Sequence, residues 1–93
     1  MIDADHRVPR KRLDSRTRVA DGAVTVGVQR QMLTLEGAAG DIWRHIDGRR
    51  SLRDLVTYLV GLYDIDAATA EEAVSDTIEP LLEAGLLTLG EPR

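Results

Sequence analysis

Between Leu33 and Tyr63 the apolar residues switch from a period of two to a helical period, and two glycine breaks fix where the switch falls. Gln31-Met32-Leu33-Thr34-Leu35 reads as a strand, with Leu33 and Leu35 on one face and Met32 and Thr34 on the other. Glu36-Gly37 ends it. Ala39, Ile42, Trp43 and Ile46 then fall at i, i+3, i+4 and i+7, one buried stripe of a helix from Ala38 to Ile46. Asp47-Gly48 stops that helix, and Gly48 suits the left-handed position after it. Ser51 followed by Asp54 has the spacing of a reciprocal cap. It opens a second helix with Leu52, Leu55, Val56, Leu59, Val60 and Tyr63 as its apolar stripe. Strand, short helix, tight turn and capped helix in this order begin a small winged-helix domain.

The flanks extend the pattern. Arg16 to Ala20 reads as a short strand, Asp21-Gly22 as a hairpin turn, and Ala23 to Val28 as a second strand. Val24, Val26 and Val28 share one face of that strand, and Gly27 marks a bulge or turn entry. Gln29-Arg30 forms the next turn. A third helix starts near Ala67, with Asp66 and Thr69 competing as its cap. Its inner face carries Ala70, Ala73, Val74, Thr77, Ile78, Leu81 and Leu82. Its outer face carries Glu71, Glu72, Ser75, Asp76, Glu79 and Glu83. Pro80 predicts a kink or a division near Thr77, because it removes a helical donor. Gly85 ends the helix, and Leu86 to Leu89 reads as a short closing strand or a packed tail. The expected class is α+β: a three-stranded antiparallel sheet followed by three helices in winged helix-turn-helix order. The domain spans residues 16–89, behind a flexible basic arm (1–15, with Val8 and Leu13 docking locally) and before a tail (90–93).

Charge separates the arm from the body. Residues 1–18 hold six Lys or Arg and three Asp, a net of +3; residues 19–93 hold six Arg and thirteen Asp or Glu, a net of −7. No Lys or Arg lies between Asp54 and Pro92. A third helix without a base is a poor reader of DNA, whose affinity comes first from phosphate contacts. The arm carries Arg7, Arg10, Lys11, Arg12, Arg16 and Arg18, and the simpler reading is a solvated tail. A chain of 43% hydrophobic and 30% charged residues can fold, so disorder is excluded. With no cysteine there is no disulfide or thiolate-held zinc, which fits a cytoplasmic protein. No apolar run is long enough for a bilayer, so no membrane association is expected.

No catalytic constellation emerges. His6 and His45 lack a second ligand at helical or turn spacing, so neither a metal nor another cofactor is expected. Ser51 is explained as a cap, and Ser15 and Ser75 have no nucleophile motif around them. The glycines lie at separate turns and form no phosphate loop. Peptide binding fits better. The strand ending at Leu35 carries Arg30, Gln31 and Met32 and is not blocked by Pro or Lys. An open sheet edge can accept an extended peptide as an added strand. If the third helix lies alongside, Val74, Thr77, Ile78 and Leu81 would floor a groove and Asp76 and Glu79 would wall it. The same four floor residues also read as ordinary core. Met32 is the stronger groove residue, since a flexible thioether suits an adaptable surface.

The run Leu35-Glu36-Gly37-Ala38-Ala39-Gly40-Asp41-Ile42-Trp43, then Asp47-Gly48, Arg50-Ser51-Leu52 and Leu55, resembles the PqqD-like family. Glu83-Ala84-Gly85-Leu86-Leu87 fits that family's closing motif. Its members are peptide chaperones and recognition elements for ribosomally made, post-translationally modified peptides (RiPPs). The resemblance covers residues 16–89. It implies a non-catalytic domain that takes a precursor's leader peptide as a strand beside Arg30, Gln31, Met32, Leu33, Thr34 and Leu35, in a groove shared with the third helix. It also implies delivery to a partner such as a radical maturase, a cyclodehydratase or a lasso-peptide leader peptidase. Two positions depart from the pattern: Glu36 stands where the family often has Asn, and Pro80 is unusual in the third helix. The alternatives are a winged-helix DNA-binding regulator and a structural subunit that never touches the peptide. The open edge would also permit a homodimer.

Overall fold

The computed structural model describes residues 6–12, 16–20, 23–28 and 31–91. Along them run β1 (Val8–Lys11), β2 (Arg16–Ala20), β3 (Ala23–Val28), β4 (Gln31–Glu36), α1 (Ala38–His45), α2 (Leu52–Tyr63), α3 (Ala67–Glu83) and β5 (Leu87–Gly90). The class is α+β, and β2, β3 and β4 form an antiparallel sheet in chain order, followed by three helices. The expected turns at Asp21-Gly22 and Gln29-Arg30 lie outside the described residues, as does Leu13.

The sheet faces the helices with one set of alternate residues. Val24 pairs with Leu35 and Val26 with Leu33, so both strands put their β-branched or leucine side chains on one face. Val24 and Val26 are fully buried there. Gly40 of α1 comes close to this face: a Cβ on it would stand 3.2 Å from Val24 Cγ2 and 3.4 Å from the Leu35 carbonyl oxygen. Ile42 and Trp43 follow it into the core, and Leu52, Leu55 and Leu59 of α2 meet Ile78 and Leu81 of α3 there.

Local chemistry sets the helix ends. Ser51 Oγ accepts from the Asp54 N–H (3.1 Å) and the Asp54 carboxylate accepts from the Ser51 N–H (2.9 Å), a complete capping box. Asp66 caps α3, accepting from the Thr69 N–H at 2.8 Å. At the far end the Gly85 N–H reaches the Leu82 carbonyl (3.0 Å) and the Leu86 N–H the Leu81 carbonyl (2.9 Å). With Gly85 at φ +74°, this is a Schellman stop. Pro80 does not divide the helix, which runs unbroken from Ala67 to Glu83. Proline's own φ is helical, and the donor it lacks is lost at an exposed position in the last turn.

The arm expected over residues 1–15 is corrected at its centre. Val8–Lys11 pairs antiparallel with Leu87–Gly90 as a second, two-stranded sheet. Val8 is buried, the Leu52 N–H donates to the Arg7 carbonyl (2.9 Å), and the Arg12 N–H donates to the Leu86 carbonyl (2.9 Å). Pro9 is tolerated because every strand of a two-stranded sheet is an edge. Two side-chain expectations also change. Ser75 is buried rather than outward, and Tyr63 is 42% exposed rather than part of the α2 stripe.

Candidate peptide-binding site

β4 is an edge of the three-stranded sheet among the described residues. Ala20 pairs with Ala23 and Val28 with Gln31, so each hairpin closes across two residues, and such closing pairs are hydrogen-bonded. Alternation along the ladder then turns the N–H and C=O of Met32, Thr34 and Glu36 away from β3. The side chains of these three residues are also exposed, Met32 by 50%. Outward main-chain groups and an exposed apolar side chain thus coincide on one edge.

The sequence-selected residues divide. Met32 and Thr34 stand open, Leu33 is half-buried, and Leu35 turns into the core. Gln31 is the first residue of β4, and Arg30 lies outside the described residues. On α3, Asp76 is exposed and Glu79 half-buried, with Ser75 Oγ donating to Glu79 Oε1 at 3.4 Å. On the inner side of α3, Val74, Ile78 and Leu81 are buried in the core and Thr77 is buried as well, so the structure does not expose these four as an open groove floor. Thr77 satisfies its hydroxyl by donating to the Ala73 carbonyl at 2.9 Å. α1 packs against both β4 and α3 and gives the strand and the helix a common support.

Polar contacts hold that support in place. The Tyr63 hydroxyl donates to the Asp41 carboxylate, tying the end of α2 to the first turn of α1, and this bond raises the phenol above its ordinary pKa. Asp47 accepts from the N–H groups of Arg50 and Arg49, both at 2.9 Å, and these bonds hold its carboxyl below the usual range. His45 stacks on Tyr58 with ring centroids 3.6 Å apart. Burial in this stack, then the Arg50 charge, lowers the imidazole pKa, against an opposing pull from Asp47. Trp43 donates through Nε1 to Thr17 Oγ1 at 3.0 Å, and Lys11 Nζ lies 4.5 Å from the centre of its ring. Burial lowers the Lys11 pKa, with Asp47 opposing. An open recess of about 290 Å³ lies beside this lysine, lined by Arg10, Lys11, Ile46, Asp47 and Gly48. Sequence reasoning missed the contacts of β1, because each joins residues far apart in the chain. Among the described residues no three His, Asp or Glu side chains gather as a metal site. Among the described residues no helix is long and apolar enough to cross a membrane.

A family model described as coenzyme PQQ synthesis protein D (PqqD) matches residues 13–87. No curated protein sequence matches significantly. Among solved structures, TbiB1 in complex with the TbiA(beta) leader peptide is similar in fold. The TM-score is 0.75 at 18% identity, over 84% of this chain and 93% of that one.

Proposed function

Because the chain belongs to the PqqD family, we propose that it is a non-catalytic module that recognises the leader of a ribosomally made precursor peptide. The leader adds as a strand to β4, on the side of the sheet edge supported by α1 and α3, and is presented to a modifying enzyme or leader peptidase. The observation that carries this reading is the β4 edge. Outward main-chain groups at Met32, Thr34 and Glu36 can take up a strand, and the Met32 side chain offers an apolar anchor. A solved relative in fold, TbiB1, has a leader peptide in its complex. The exposed carboxylates of α3, Glu72, Asp76 and Glu83, favour basic residues in the part of the leader that passes them. The partner is a RiPP maturation enzyme such as a radical maturase, a cyclodehydratase or a lasso-peptide leader peptidase, acting in the cytoplasm.

The test is titration of a candidate precursor's synthetic leader peptide against the isolated chain. Met32→Asp places a charge where the apolar anchor sits and should weaken binding about tenfold or more. Thr34→Pro removes one outward N–H and should weaken it similarly, while β3 keeps its ladder. Both sites are exposed, so thermal stability should stay near the parent value and separate lost binding from lost fold. Undiminished leader affinity in both variants would remove β4 as the site.

A further inference from the structure

The opposite edge of the same sheet, β2, has features that leader binding at β4 does not use. Among the described residues β2 pairs only with β3. Every residue from Arg16 to Ala20 is exposed, on both faces of the strand. This is unusual for the inner face. Thr17 and Val19 lie beside Val26 and Val24, which are fully buried, yet Val19 is 55% exposed. On this inner face Thr17 reaches the helices, accepting from the Trp43 indole, whereas Val19 overhangs them uncovered. The ladder alternation that turns Met32 and Thr34 outward on β4 turns the N–H and C=O of Thr17 and Val19 outward here. On the other face stand Arg16 and Arg18, and no described residue pairs with either guanidinium. They belong to the basic segment of a chain whose remaining residues, 19–93, carry a net −7.

We infer that β2 is a docking edge for an acidic, extended segment of a partner protein, one that alternates carboxylates with β-branched apolar residues. Its main chain pairs with Thr17 and Val19. Its apolar side chains cover Val19 on the overhanging inner face, and its carboxylates lie across from Arg16 and Arg18 on the outer face. A second copy of the chain fits poorly. Antiparallel pairing of β2 with itself about its central residue sets Arg18 against Arg18, and like charges directly opposite are destabilising. β3 lies between β2 and β4. A partner on β2 and a leader on β4 therefore occupy separate edges of one rigid sheet, and the β2 surface does not depend on what β4 binds.

The probe is a short end-blocked peptide alternating glutamate with valine, titrated into the ¹⁵N-labelled chain, with the lysine-for-glutamate peptide as control. Expected are shifts of the Thr17, Arg18 and Val19 amides with the glutamate peptide, fading with salt, and none with the lysine peptide. The double variant Arg16→Glu, Arg18→Glu should weaken the interaction roughly tenfold, two cross-strand ion pairs being lost and reversed. It should leave leader affinity unchanged. Val19→Pro removes an outward donor without touching the β3 ladder and should also abolish the shifts. The inference is overturned if the shifts map to Met32–Glu36, or if both peptides bind alike. Retention of the shifts by the double arginine variant would overturn it too. A dimer that Val19→Pro dissolves would assign the edge to a second copy instead.

Discussion

Completely buried, Trp43 still satisfies its indole N–H through Thr17 and lies beneath the ammonium of Lys11, so three chain segments meet on one ring. The helical stripe identified it as core, but nothing in the spacing pointed to residues 26 and 32 positions earlier. His45 is a second case. One step off the stripe, it reads as a surface residue, yet it stacks on Tyr58 and its pKa falls below the ordinary value of 6.5. A histidine with a lower pKa folded than unfolded binds protons more readily when unfolded, so acid favours unfolding. The fold should therefore lose stability as pH falls through 6.5 and on toward the lowered folded value. His45→Phe keeps a stacking ring and removes the proton site. Melting temperatures across that window should flatten in the variant, and an unchanged slope would show that His45 does not set it.

At the scale of elements, the caps were the most legible feature. The Ser51 and Asp54 spacing is a local device, and the structure completes it in both directions. Ser51→Ala should cost about 1 kcal/mol, a melting temperature lower by roughly 4–8 °C in a domain of this length. Calorimetry showing no loss would mean that α2 does not depend on its box. Where two local signals competed, spacing could not choose between them. Thr69 with Glu72 matched a capping box as well as Asp66 matched a simple cap, and the chain uses Asp66 because the helix begins at Ala67. Pro80 shows tertiary packing overriding a local penalty. Ile78 and Leu81 on either side of it are both fully buried, and holding them in place keeps the turn helical. The amphipathic split of α3 held for most positions but failed at Ser75, a small polar residue that packing can cover once its hydroxyl has Glu79.

Across the whole molecule the largest difference is β1. Removing residues 1–11 would take Val8 from the core and leave the Leu52 N–H without its acceptor. Burial of one valine is worth roughly 1.5–3 kcal/mol and such a hydrogen bond about 1, so the truncation should cost about 3 kcal/mol. A urea midpoint equal to that of the full chain would restore the picture of a free arm. Four residues with one proline and one clearly apolar side chain show no periodicity, so only the distant partner at Leu87–Gly90 reveals them as a strand. The same limit acted on the site. The period of two along Met32–Leu35 singled out Met32 from the sequence, because side-chain alternation is a local property of an extended chain. Whether Val74, Thr77, Ile78 and Leu81 floor a groove or fill a core depends on what packs over them, which no spacing within α3 encodes. Sequence by itself determined the order of elements from β2 to α3, the box that caps α2, the family, and the alternation that turns Met32 away from the core. Tertiary structure decided which apolar faces are closed, that the basic segment is partly a strand, and that among the described residues β3 has an edge strand on either side, because burial and pairing are set between segments far apart in the chain.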